Sequence, residues 1–180
     1  MAYTQASKTA NRLGLNVSLY ALSDTTMQTP LLTIDFANVS TVDLSGGTVW
    51  ATGGQKHGNK IAFSDPFTGT ITISTQIMTT ELLNVIAGGT AGASSLTSIE
   101  FKNTSTAAPS YYILKAETVW QLDDGTIANE TITCHKVTPE RAYNIQYSGE
   151  GDPTSVDVTF DMLEDSTGKV MTVLRAAPTP

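Results

Sequence analysis

The sequence has 180 residues, of which 40% are hydrophobic and 15% are charged, and its formal net charge is −7. A chain of this length and hydrophobicity can bury the core of one domain, which excludes wholesale disorder. The acidic balance argues against a duplex-DNA reader, because such proteins need a basic surface to neutralise phosphates. The 29 Thr and 15 Ser residues fill many polar positions, and β-branched Thr favours strands.

Three further classes of protein are disfavoured by the same sequence. No apolar run reaches about 18 residues, so no transmembrane helix and no membrane partner are predicted. Residues 1–14 are polar and lack the apolar centre of a secretory signal, so we expect a polar N-terminal arm and a protein that is not secreted. The single cysteine, Cys134, excludes an internal disulfide framework and a cysteine-rich zinc site.

The predicted domain spans residues 15–175 and is followed by a short flexible tail, 176–180. Its first apolar stretches, 15–22 and 31–36, are candidate strands. In the second stretch apolar and polar residues alternate, which is typical of a half-buried strand. A glycine-rich segment, 43–68, comes next.

This segment contains short strand-like pieces only, at Thr48–Thr52 and Lys60–Phe63. Loops longer than about 12–15 residues are uncommon in compact domains and are usually functional or disordered. The sequence therefore predicts an extended loop with a function of its own.

One short helix is predicted between strands. The stretch Thr70–Ser74 alternates as a strand, and Thr79 then offers a helix N-cap with Glu81 in the first turn. Apolar residues at i, i+3 and i+4 favour a helix over 79–87, which Gly88 and Gly89 end.

Further strands are predicted at Thr97–Lys102 and across a hairpin from Tyr111 to Val137. A three-residue loop around Gly125 pairs Trp120 with Ala128, Ala116 with Ile132 and Leu114 with Cys134. We prefer this register because it collects the apolar side chains on one face, with Glu130 opposite Thr118 as the exception.

A last hairpin is predicted from Val156–Met162, through a turn at Glu164–Gly168, to Lys169–Arg175. Alternation in its first strand places Phe160 on the core face and Asp157, Thr159 and Asp161 on the other. The fold class is mainly β: an antiparallel sandwich or barrel with one short flanking helix and a long glycine-rich loop.

The sequence offers little for catalysis, and no cofactor or metal is expected. Cys134 and His135 are neighbours on a strand, so their side chains point to opposite faces and cannot form a nucleophile–base pair. His57 has no Cys or His close in sequence, which makes a metal site improbable. The acidic pairs at 123–124 and 164–165 lie at expected turns, where Asp is favoured for backbone geometry. We expect a protein that is not an enzyme.

The order of these elements resembles the major tail tube proteins of tailed bacteriophages and of related contractile injection particles. The resemblance covers most of residues 15–175 and includes Asp65–Thr75 with its "TGTITIST" strand, the helix 79–87 and the stretch Gly151–Asp161. It lies in the combination of elements and in the size of the chain rather than in one motif.

The resemblance implies a structural virion protein that self-assembles into six-membered rings, which stack into a hollow tube for DNA ejection. Its implied partners are copies of itself, tape-measure, terminator and tail-tip proteins, with or without a sheath protein, and phage DNA in transit only. It implies synthesis in the host bacterial cytoplasm and a final place in the virion tail. The long loop is implied to bridge to a neighbouring subunit.

Two surfaces are candidates for these contacts. Loop residues that could meet a neighbour are Trp50, Lys56, His57 and Lys60, and residues that could face the lumen are Asp157, Thr159 and Asp161. An acidic lumen suits a DNA conduit, since a basic wall would retain phosphates; an ordinary solvent-facing surface explains the same residues equally well. The alternative function is a monomeric binding module of the carbohydrate-binding or adhesin type.

Overall fold

The computed structural model describes residues 9–34, 37–51, 61–76, 78–89, 91, 98–101, 109–122, 127–140 and 156–176. The described residues form ten strands and one helix, in the following order along the chain: β1 Thr9–Ala21, β2 Leu32–Ile34, β3 Ala37–Ser45, β4 Thr48–Ala51, β5 Ile61–Ser64, β6 Thr68–Thr75, α1 Thr80–Ile86, β7 Tyr112–Leu122, β8 Ile127–Pro139, β9 Val156–Met162 and β10 Met171–Arg175.

Eight of these strands form one antiparallel sheet in the order β2-β1-β7-β8-β9-β6-β3, with β10 paired to β8 beside this path. The sheet curls, because β3 at one end of the order also lies against β1 near the other end. The described part of the chain is therefore mainly β, with a barrel-like sheet and a single short helix, as the sequence predicted.

The core lies inside this curled sheet. Strands β6 and β9 alternate as expected: Ile71 and Ile73 of β6 and Val158 and Phe160 of β9 are buried, while the residues between them face outward. Paired register places Ile71 opposite Phe160, so their apolar side chains share one face. This confirms the predicted orientation of the strand that contains Phe160.

Helix α1 covers part of the core. Its N-cap is Thr79, whose Oγ1 accepts a hydrogen bond from the Leu82 N–H at 3.2 Å. Leu82, Val85 and Ile86 are buried, as their spacing predicted. Gly88 follows the helix with a φ of 90°, a left-handed conformation that ends helices and that glycine adopts without strain.

The β7–β8 hairpin has the predicted register. Leu114 pairs with Cys134, Ala116 with Ile132 and Trp120 with Ala128. The hydrophobic pattern was sufficient to choose this register, because a slip by one residue would turn every side chain to the opposite face. The turn at residues 123–126 lies outside the described residues.

The prediction of a hairpin for the last two strands is wrong. Strands β9 and β10 do not pair with each other; both pair with the same edge of β8, with Met162 opposite Val137 and Met171 opposite Cys134. They are two parts of one interrupted strand, separated by an excursion over 163–170. The turn residues were correctly located. The Asp165 carboxylate accepts hydrogen bonds from the N–H groups of Thr167 and Lys169, which closes a small loop. After this loop the chain continues in its former direction along β8 instead of reversing.

Two other expectations need correction. Strand β1 begins at Thr9, so the second half of the predicted arm, 9–14, pairs with β7 as part of the sheet; residues 1–8 lie outside the described residues. Of the predicted strand Thr97–Lys102, residues 98–101 have no regular structure, and Phe101 is exposed. An alternating pattern forms a strand only where a sheet edge receives it, and this stretch does not bury its aromatic side chain.

Candidate assembly surfaces

Two segments of the predicted long loop, 43–68, form a β-ribbon. Strands β4 and β5 pair as a separate two-stranded sheet, with Thr48 opposite Ser64 and Ala51 opposite Ile61. The two predicted strand-like pieces are therefore confirmed within one or two residues. Of the predicted contact residues, Trp50 belongs to β4, whereas Lys56, His57 and Lys60 lie outside the described residues.

A break separates this ribbon from the main sheet. The pairing of β3 with β6 stops at Ser45 and Thr68, and the pairing of β4 with β5 starts at Thr48 and Ser64. Two residues on one side, Gly46–Gly47, face three on the other, Asp65–Phe67. An unequal number of residues on the two sides is the feature that defines a β-bulge, which generally bends a pair of strands.

The glycines at the break make room for side chains from the opposite segment. A Cβ on Gly46 would lie 2.6 Å from the Phe67 ring, and one on Gly47 would lie 2.8 Å from Oδ2 of Asp65. The Asp65 N–H donates a hydrogen bond to the Gly47 carbonyl at 2.9 Å, which joins the two segments within the break. The ring of Phe67 is 59% exposed although it rests on Gly46, so an aromatic surface lies where the ribbon leaves the domain.

The predicted lumen residues lie together on the outer face of β9. Register places Asp157 opposite Ser74, Thr159 opposite Thr72, and Asp161 opposite Thr70. Ser74 Oγ donates to Asp157 Oδ1 at 2.6 Å, and the hydroxyls of Thr72 and Thr159 are 3.1 Å apart. The face is therefore a ladder of hydroxyl and carboxylate groups.

This polar face is acidic. Asp43 of β3 adds an exposed carboxylate beside Thr70, and β3, β6 and β9 contain no Lys or Arg. An acidic face without fixed cations repels phosphate groups. The orientation of this face in an assembly stays a prediction.

Strand β10 contrasts with the rest of the sheet because both of its faces are exposed. Val173 and Leu174 have 47% and 65% of their side-chain surfaces accessible. Among the strands of the described residues, β10 pairs with β8 alone. An edge strand with large apolar side chains and no charge before Arg175 lacks the usual protection against pairing with another chain.

Arg175 at the end of β10 explains how Glu130, the charged residue on the apolar face of the predicted hairpin, can be buried. Glu130 of β8 is buried, and its Oε2 accepts a hydrogen bond from the Nε of Arg175 in an ion pair. Thr118, opposite Glu130, is buried as well, and its hydroxyl has no hydrogen-bond partner among the described residues. Sequence reasoning missed Arg175 because it lies 45 residues from Glu130 along the chain.

A surface cavity of about 450 Å³ lies between the loop after β1 and the excursion after β9. His135 at its wall has Nε2 2.8 Å from the Thr172 hydroxyl and Nδ1 4.0 Å from Asp165 Oδ2. The order hydroxyl, imidazole, carboxylate is the order of a nucleophilic triad. The second distance exceeds a hydrogen bond, so the carboxylate does not orient the ring as a triad requires. The His135–Thr172 contact was not predicted, because it depends on the placement of β10.

The two loops beside this cavity are each organised by one aspartate. The backbone N–H of Lys169, with the hydroxyl and N–H of Thr167, lowers the pKa of Asp165 to about 2. In the other loop, the N–H of Thr29 and the hydroxyl of Thr26 lower the pKa of Asp24. Each carboxylate accepts hydrogen bonds from groups of its own loop, which is the usual role of Asp in turns.

Other chemistry-bearing groups have structural roles. Cys134 is fully buried, with its Sγ 3.5 Å from the Met162 sulfur, and burial raises the pKa of this thiol to about 12. It is thus the expected core thiol beside a partly exposed imidazole. Among the described residues, no group of three His, Cys, Asp or Glu side chains forms a metal site, and no helix has the length or apolarity for a membrane span.

Comparison with known proteins finds similarity among solved structures only. No family model and no curated protein matches the chain. Among solved structures, a chain of the "Cryo-EM structure of the anti-feeding prophage (AFP) baseplate, 6-fold symmetrised" is similar over 97% of this chain and 97% of that chain, with a TM-score of 0.49 and 11% sequence identity. A likeness at this level is a similarity to a protein of a phage-like particle and carries no argument about function.

Proposed function

We propose that the protein is a non-enzymatic, self-assembling component of a phage tail or a related particle, and that its copies form six-membered rings stacked into a hollow tube. The order of elements in the sequence, which resembles tail tube proteins, supports the proposal. The observation that carries it in the structure is strand β10, whose Val173 and Leu174 are exposed, together with the β4–β5 ribbon, which pairs as a sheet separate from the main one.

The physical argument concerns exposed edges. A monomeric domain gains stability by pairing or protecting its strand edges, because an exposed apolar edge recruits other chains. Here Val173 and Leu174 lie exposed on an edge strand, and the ribbon pairs as a second sheet that follows the β3–β6 pair along both chain segments. These features are useful to a protein whose edges are covered by further copies.

The acidic face of β9 agrees with a conduit for nucleic acid. A ring of six copies would repeat Asp43, Asp157 and Asp161 around a closed surface, and such a surface lets a polyanion pass without holding it. The proposal assigns this face to the lumen. Replacing Asp157 and Asp161 by lysine should leave assembly intact while making the assembled particle retain DNA; tubes that bind DNA no better than the wild type would contradict this assignment.

A monomeric binding module remains the second candidate, and the cavity between the two aspartate-organised loops is the observation that favours it. Apolar side chains such as Leu22, Met27 and Ile113 line it beside His135 and Lys136, which is a mixture typical of small-ligand sites. Electron microscopy over a concentration series separates the two functions. Hollow rings or tubes support the first, and a protein that stays monomeric while a glycan screen finds a ligand supports the second.

A further inference from the structure

Strand β10 contributes much less to the core than strand β9, although both lie along β8. In β9, buried and outward residues alternate, and the buried set includes Val158 and Phe160. In β10 the first residue, Met171, is partly buried and the following residues are exposed. Met171 and the preceding Val170 pack against the core. Because burial of apolar surface is the main stabilising term in folding, the core loses little when β10 leaves β8.

Backbone hydrogen bonds supply most of the attachment of β10 to β8. The ladder is bounded by two of them: the His135 N–H donates to the Val170 carbonyl at 3.0 Å, and the Ala176 N–H donates to the Asn129 carbonyl at 2.9 Å. The side chains add the ion pair of Arg175 with Glu130. Each backbone bond contributes little net stability, since the groups that it joins bond to water when they separate.

The excursion between β9 and β10 contains a loop that can serve as a hinge. The Asp165 carboxylate accepts hydrogen bonds from the N–H groups of Thr167 and Lys169, at 2.7 and 2.9 Å. The Asp165 N–H donates to the Lys169 carbonyl at 2.9 Å, and Gly168 adopts a φ of 78°. Donors and acceptors of these bonds all lie within the loop, so they stay paired when β10 moves.

We propose that β10 is a detachable strand, which opens from β8 as a unit while β9 and the rest of the sheet stay folded. Native proteins open locally in cooperative units, whose free energies of opening range from near zero to that of global unfolding. β10 has the features of a unit at the lower end of this range, namely exposed side chains and a self-contained loop that joins it to β9. Each opening frees the β8 edge from Glu130 to Cys134. The inference concerns a single copy and does not depend on the proposed function.

Native-state hydrogen exchange of the dilute wild-type protein tests this inference. The reporter amides are those of His135 and Ala176, which bond across the β8–β10 ladder. The reference amides are those of Ile71 and Ile73 in β6, which has a paired strand on each side. After correction for intrinsic rates, the reporters should exchange at least about a hundredfold faster than the references, as opening at the low end of the range implies.

Urea below the unfolding transition provides a second reading of the same amides. Opening of one short strand exposes little surface, so the exchange rates of the reporters should hardly depend on urea. The rates of the references should rise steeply, because these amides become free only in global unfolding.

Core variants give an independent readout. Phe160→Ala weakens a core that stays formed while β10 is open, so it should accelerate the exchange of Ile71 by about a hundredfold or more and leave the reporters at their wild-type rates. Ile73→Val is a milder change in the same core, for which we expect an acceleration of about threefold to tenfold at Ile71. This second variant keeps the test available if Phe160→Ala does not fold.

The opposite results would overturn the inference. Reporters that exchange as slowly as the references, or that show the same dependence on urea, would mean that β10 opens only when the whole domain unfolds. Reporters that accelerate together with Ile71 in the core variants would lead to the same conclusion.

Discussion

Strands β9 and β10 occupy the same edge of β8, yet their surroundings differ completely. β9 is flanked by β8 on one side and β6 on the other, and Phe160 at its centre is fully buried. Within the described part of the chain, β10 is flanked by β8 alone, and Leu174 is among the most exposed apolar side chains there. Both sequences are rich in β-forming apolar residues. The comparison teaches that a second partner strand, rather than strand propensity, determines which segment becomes core.

The largest expected effect is a difference between β9 and β10 in how much a truncated side chain lowers the free energy of unfolding. Phe160→Ala should lower the free energy of unfolding by about 3–5 kcal/mol, because it leaves a cavity in a fully buried site. Leu174→Ala, on the exposed strand, should change it by no more than about 0.5 kcal/mol. Urea unfolding of both variants as dilute monomers measures the difference. Equal losses would show that β10 is part of the monomer core.

Arg175 is the residue through which β10 contributes to the folded monomer. Arg175→Met should destabilise the monomer by about 1–3 kcal/mol, because it leaves the buried Glu130 carboxylate without its partner. Adding Glu130→Gln to this variant should restore part of the loss, since an amide is less costly to bury than a charge. Thermal unfolding of the single and double variants tests this, and a double variant no more stable than Arg175→Met would contradict it.

Thr118 should be a site of stabilisation. Its buried hydroxyl has no hydrogen-bond partner in the described part of the chain, so Thr118→Val removes a desolvation cost while nearly conserving the side-chain volume. We expect a gain of about 1 kcal/mol in the free energy of unfolding. Thr133→Val, at another buried threonine of the same hairpin, serves as the comparison. A loss of stability in Thr118→Val would show that the hydroxyl has a partner in solution.

The smallest effect concerns the excursion between the two strands. The folded-state pKa of Asp165 is about 2, below the ordinary value of 3.8 for this group, so its contribution to stability is present above about pH 3.8 and is lost as the pH falls towards 2. Asp165→Asn should make the free energy of unfolding less dependent on pH between 4 and 2. Acid titrations followed by circular dichroism measure that slope. A variant with the wild-type slope would exclude Asp165 as its source.

The sequence was sufficient wherever one local pattern decided the structure. The caps and apolar face of α1, the inward orientation of Phe160 and the β7–β8 register all follow from periodicity, since any other arrangement would expose those apolar residues. The turn chemistry at Asp165 was also visible. Its result was not, because a loop closed by one carboxylate can either reverse a strand or interrupt it, and the choice depends on the β8 edge.

The candidate assembly surfaces were predicted only in part. The glycine-rich segment 43–68 predicted an extended loop with a function of its own. Alternation placed Asp157, Thr159 and Asp161 on one face. The placement of β10 on the edge of β8 could not be predicted, since it depends on contacts between segments far apart in the sequence. The Glu130–Arg175 ion pair required the same long-range information.

Self-assembly through exposed β edges is the central claim, and it is tested most directly by negative-stain electron microscopy of the purified protein over a concentration series, with light scattering in parallel. We expect monomers in dilute solution and hollow rings or tubes of uniform diameter above a threshold concentration. A monomer at every concentration, or irregular aggregates without a constant diameter, would contradict the account.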